Sequence, residues 1–188
     1  MNPTAQRFHD RASRFAEIVD SADAQWDSPT PCEGWTVRDV VSHAIGTERD
    51  FFETRALDLG PAPDGTDPAK AWRAHADAVV DVLTRDGVAE TAYDGYFGPT
   101  TVADTMADFY GWDLVIHGWD IARATGQEWS IGEDEIARLH ATADGWGDAL
   151  HSEGVCGPEV RIGDDASAQD RLLARLGRDP GWSLNRAS

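Results

Sequence analysis

The stretch that decides the fold is TVADTMADFYGWDLVIHGWDIARATG, residues 101–126. Thr101, followed by Asp104 three residues on, is a helix start, and Gly126 is a stop. Nothing between them breaks the pattern, so the spacing predicts one helix running uninterrupted to Thr125. Asp113 and His117 are four apart. At about 100° per residue they lie on one face, one turn apart. Met106, Tyr110 and Ile121 fall on that face too, which marks it as inward-facing. A carboxylate and an imidazole are costly to bury without a partner. A divalent ion would satisfy both at once, and so would a hydrogen bond between them; spacing alone does not choose.

Helical punctuation continues on both sides. A first helix is expected from Pro3 to about Ala24, with Phe8, Ala12, Phe15, Ile18 and Val19 on one face. The loop DSPTPCEGW (27–35) ends it. Thr36 and Asp39 then resemble a capping box opening a second helix to about Leu57, striped by Val37, Val40, Val41, Ala44, Phe51 and Phe52. His43 sits on the flank of that stripe. Asp67 followed by Pro68 opens a third helix ending near Gly87, with Trp72, Val79, Val80 and Leu83 facing inward. Residues 88–100, including TAYDGYFGPT, read as loop. A fifth helix is expected over Glu133–His151 and a short last one from Ser167 to Gly177. No segment shows convincing strand alternation. The expectation is an all-α fold, a four-helix bundle with additional C-terminal helices, in one domain over residues 1–188.

Composition narrows the function classes. The chain has 34 acids against 16 bases, a formal charge of −18, which repels phosphate backbones and argues against nucleic-acid partners. No apolar run approaches the roughly 18 residues of a membrane span, and the polar start MNPTAQRFHDRASRF lacks the layout of a secretion signal. A cytoplasmic location is expected. Lys70 is the only lysine, and the bias to Arg, Ala, Gly and Asp suggests a GC-rich genome. Cys32 and Cys156 suggest no disulfide framework; Cys32 reads as a small buried residue, with a reactive thiol the alternative. Trp35, Trp112, Trp119 and Trp146 read as core, and His9, His75, His140 and His151 as surface or packing.

Three motifs carry a resemblance: PCEGWTVRDVVSHAIG (31–46), HGWDIARATG (117–126) and DASAQDRLLARLGRDP (165–180). They are similar to those of the mycothiol-dependent maleylpyruvate isomerase-like proteins of actinobacteria, within the DinB-like metalloenzyme superfamily; the third resembles short members. The resemblance implies a divalent metal, usually zinc, held by His43, Asp113 and His117. The isomerase has Glu where this chain has Asp113, one methylene shorter, which leaves room for nickel, iron or manganese. The isomerase also carries an additional C-terminal domain, for which this length leaves too little chain. Maleylpyruvate isomerisation is therefore not expected to carry over; the metal site and thiol chemistry are.

The resemblance implies a thiol transferase or isomerase using a low-molecular-weight thiol, mycothiol given the composition, and a small electrophilic substrate. A metal-dependent hydrolase and a non-catalytic metal-binding module are the alternatives, the latter favoured if a fourth ligand, with Tyr110 the candidate, closes the site. Asp120 and Arg38 are candidates to orient ligands or to pair with each other. Arg171 and Arg178 are candidates to meet an anionic substrate. A homodimer is compatible with a bundle of this size.

Overall fold

The computed structural model describes residues 2–152 and 154–184. Helix α1 spans Pro3–Asp20, with Asn2 accepting from the Thr4 and Ala5 N–H groups. Helix α2 spans Val37–Glu53; Thr36 and Asp39 form a reciprocal capping box, as expected. Helix α3 spans Pro68–Leu83, capped by Asp67. α1 packs against α3, and α2 packs against α3 as well.

Residues 88–100, expected as loop, contain a correction. Strands β1 (Ala92–Gly95) and β2 (Gly98–Thr101) pair antiparallel, with Ala92 opposite Thr101 and Gly95 opposite Gly98. The strands are short and bury neither face fully, so no period-two apolar pattern betrays them.

The helix expected over 101–125 is continuous in path but not uniform. Helix α4 spans Val102–Thr105, a π turn follows over Met106–Tyr110, and helix α5 spans Gly111–Thr125. The Gly111 N–H donates to Met106 O, five residues back. Buried Arg11 explains the insertion: its Nη1 donates to Ala107 O at 2.5 Å, while its Nε donates to Glu135 Oε1 at 2.7 Å. Glycine at 111 eases this packing, because a Cβ there would lie 3.1 Å from Met106 O and 3.2 Å from Arg11 Cδ, and both would have to give by a few tenths of an ångström. Asp113 and His117 both follow the turn, so their one-turn relation survives it.

α5 closes a four-helix ring by packing against α1 and α2. Its outer face is buried too. Helix α6 (Glu133–Trp146) and helix α7 (Ala168–Arg175) cover it through Ile136, Leu139, Leu172 and Leu176 against Trp112, Val115 and Ile116. A helix apolar on all sides requires such double cover. A 3-10 turn, Gly147–His151, follows α6. Among the described residues no helix is long and apolar enough to cross a membrane.

Candidate metal centre

The site forms where α2 meets α5. His43 is held by a regular helix whose capping box fixes its start. Asp113 and His117 project from α5 toward it. His43 Nε2 lies 3.5 Å from Asp113 Oδ2, and His117 Nε2 lies 3.4 Å from the same oxygen. One donor atom from each residue falls within 4.8 Å of the other two. Donors held about 2.0–2.1 Å from a common tetrahedral ion stand roughly 3.3–3.4 Å apart, so the donor set fits a divalent ion. Both contacts are long for direct hydrogen bonds, and a pairing of Asp113 with His117 alone would leave His43 without a role at the same oxygen.

The second face of His117 strengthens the fit. Its Nδ1–H donates to Asp120 Oδ2 at 2.9 Å, leaving Nε2 turned to the cluster. A carboxylate behind a ligating imidazole fixes ring orientation and raises donor strength. Asp120 is fully buried. Burial alone would raise its pKa, but the Arg178 guanidinium and the His117 imidazole outweigh it and hold the carboxylate below the usual range. Arg178 Nη2 donates to Asp120 Oδ2 at 3.1 Å and to Cys32 Sγ at 3.2 Å, and the Cys32 thiol donates to Asp120 Oδ2 at 3.2 Å. Cys32, His117 and Asp120 are also close enough to hold an ion. Arg178 already supplies a cation to two of these three, which makes this cluster the support of the first and not a second centre.

Burial would likewise raise Asp113, but His117 and then His43 hold it far below the carboxylate range. For His117, burial is outweighed by Asp113 and Asp120, and its pKa stands well above the imidazole value.

The donors face a cavity of about 550 Å³. Trp35, Trp112 and Trp146 form its apolar walls; Cys32, Cys156 and Arg178 are also at its surface. Trp35 stacks on His117, with ring centroids 5.9 Å apart and planes 23° apart. Its loop is closed on itself: Thr30 N–H donates to Trp35 O and Trp35 N–H to Cys32 O, with Gly34 in the left-handed region at φ 79°. Burial pushes the Cys156 thiol up to about 11, so it stays protonated at neutral pH.

Several sequence expectations change here. Asp120 pairs with Arg178, not with Arg38. Arg38 points to the loop before α3, where its Nη1 donates to Gly65 O at 3.3 Å and to Thr66 O at 3.5 Å, and its acidic partner is Asp27. Arg171 is exposed on α7 and does not line the cavity. Cys32 is half-buried and hydrogen-bonded, not simply apolar filler. Trp112 and Trp119 are core, whereas Trp35 and Trp146 are half-buried, at the cavity wall. His151 reaches the cavity mouth, where its Nδ1–H donates to Gly157 O at 2.7 Å. Tyr110 lines the same cavity, and burial raises its phenol well above the usual tyrosine range.

A family model described as the mycothiol maleylpyruvate isomerase N-terminal domain matches residues 6–122, which include His43, Asp113, His117 and Asp120. The chain belongs to this family. Two uncharacterized proteins of Mycobacterium tuberculosis, from strains CDC 1551 / Oshkosh and ATCC 25618 / H37Rv, are each 27% identical to it over 181 residues, covering 90% of this chain and 95% of theirs. No solved structure matches. Arg178 and Cys156 lie beyond the matched segment, so part of the cavity wall comes from chain outside the family domain.

Proposed function

We propose that this protein is a metal-dependent thiol transferase or isomerase working with mycothiol, with a divalent ion, zinc first among the candidates, held by His43, Asp113 and His117. The observation that carries this reading is the three-donor cluster at 3.4–3.5 Å facing a cavity large enough for a small substrate. A bound divalent ion lowers the pKa of a thiol that reaches it, which is the chemistry the family description points to. Three protein donors leave room for that thiol, as catalytic sites do.

The chain's own residues supply the rest. Asp120 holds the proton of His117 on Nδ1, so that Nε2 is free to act as a donor. Arg178 keeps Asp120 ionised and in place. Trp35, Trp112 and Trp146 give the cavity apolar walls, and charges beside such walls interact more strongly than they do in bulk water. Asp113, the shortest acid available, ties both imidazoles to one point through Oδ2.

Metal analysis of the purified protein beside His117→Ala tests the site. One ion per chain in the wild type and none in the variant is expected; equal content in both would overturn it. Thiol consumption with a panel of electrophiles tests the chemistry. Turnover that requires the metal but not the thiol would replace this reading with a hydrolase.

A further inference from the structure

The metal cavity has a neighbour. A second cavity, of about 380 Å³, lies between the β1–β2 hairpin and the π turn. Phe109, Tyr110 and Trp146 line both cavities and form a shared wall. The hairpin tip is Tyr96–Phe97, where two-residue turns favour Asn, Asp and Gly. These aromatics are 83% and 41% exposed, and the turn itself has no need of them. Phe97 stacks on Trp146 at 5.2 Å with planes 15° apart, and Trp146 meets Phe109 at 5.6 Å.

Arg55 stands in the same cavity. Its guanidinium is held between the rings of Phe51 and Tyr93, 3.8 and 4.0 Å from their centroids. Nη1 donates to Phe51 O and Thr54 Oγ1, while Nε is buried without a partner. Nη2 makes no hydrogen bond, and no carboxylate pairs with this guanidinium, among the described residues. The two acids at the cavity are otherwise engaged: Asp108 with Arg7 at 2.9 Å, and Asp104 accepting from Thr101 Oγ1 at 2.7 Å. A guanidinium immobilised by stacking loses little entropy on gripping a carboxylate. Flat aromatic walls favour a flat conjugated body.

We propose that this second cavity binds an aromatic or conjugated carboxylate, with the carboxylate on Arg55 and the flat body against Phe97 and Trp146. As the subsite for the electrophilic substrate it rests on the metal-and-thiol reading; as a binding site it stands alone.

Calorimetric titration of trans-cinnamate and of neutral cinnamamide into the full chain, metal-loaded and after chelation, separates the two. A charged hydrogen bond is worth enough that cinnamate should bind about ten-fold or more tighter than the amide, in both forms. Arg55→Gln should erase that preference without changing metal content. Phe97→Ala, at an exposed turn, should weaken both ligands several-fold. Equal binding of acid and amide by the wild type, no binding of either, or an unchanged preference in folded Arg55→Gln would overturn the proposal. So would a Phe97→Ala variant that weakens neither. Cinnamate binding that disappears on chelation would put the carboxylate on the metal, overturning this site while sparing the metal reading. A chain that binds no metal but keeps its cinnamate preference would do the reverse.

Discussion

Helix α2 contributes to two carboxylate–imidazole pairs, five residues apart, and they end in opposite states. Glu48 and His75 meet at 2.9 Å with both side chains sealed in the core. His43 and Asp113 stand 3.5 Å apart, 32% and 29% exposed, at a cavity. In the sealed pair, burial raises the Glu48 pKa against the opposing pull of His75, while Glu48 Oε1 and His75 Nδ1 lack partners among the described residues. Its two groups satisfy mainly each other. In the open pair the oxygen faces a second imidazole and the cavity, and that imidazole has its own carboxylate behind it. The residue types are the same. What differs is a third donor, a supporting shell and a way in, and these separate a candidate centre from a core ion pair.

The difference can be broken experimentally. The largest effect is expected at the open pair: His117→Ala or Asp113→Ala should leave no metal in the purified protein, with the far-UV spectrum intact. Next is the sealed pair. His75→Ala strands Glu48 in the core and should cost about 3–5 kcal/mol in denaturant unfolding, with metal stoichiometry unchanged. Metal loss in that variant would erase the distinction between the pairs. Asp120→Asn tests the supporting shell and should weaken metal affinity about 10–100-fold.

pH provides a subtler probe of the open pair. In the metal-free chain His117 lies between Asp113 and Asp120 with its pKa well above the imidazole value, so near pH 7 its Nε2 carries a proton. An incoming ion must displace that proton. Affinity should therefore rise with pH, about ten-fold per unit, until the raised pKa is passed. Asp113, held far below its usual range, adds nothing to this slope. Competition with a chromophoric chelator at pH 6, 7 and 8 measures it, and a flat profile would remove Nε2 from the ligand set. The smallest effect belongs to the sealed pair replaced whole: Glu48→Leu with His75→Leu should change stability by no more than about 1 kcal/mol, or increase it.

Much of the sealed pair is legible in the sequence. Glu48 falls four residues after Ala44 and three before Phe51, on the buried stripe of α2, so helical periodicity places an acid in the core. Of the two readings of His75, surface or packing, the structure shows packing, and Glu48 is its partner.

The Thr36 capping box, the helix starts and the one-turn spacing of Asp113 and His117 were legible because each depends on residues within a few positions of one another, whereas α1, α2 and α6 end four or five residues before the expected Ala24, Leu57 and His151. The family motifs added His43. Other features were settled in the tertiary fold, because they depend on contacts between segments distant in sequence. The π turn depends on Arg11 reaching Ala107, 96 residues away. The support of His117 depends on Arg178, 58 residues beyond Asp120, and on Cys32, 88 before it. The hairpin that places Phe97 against Trp146 has no alternating pattern to announce it. Local hydrogen bonds and helical periodicity leave a trace along the chain; a guanidinium that crosses the molecule to one carboxylate is specified only by packing.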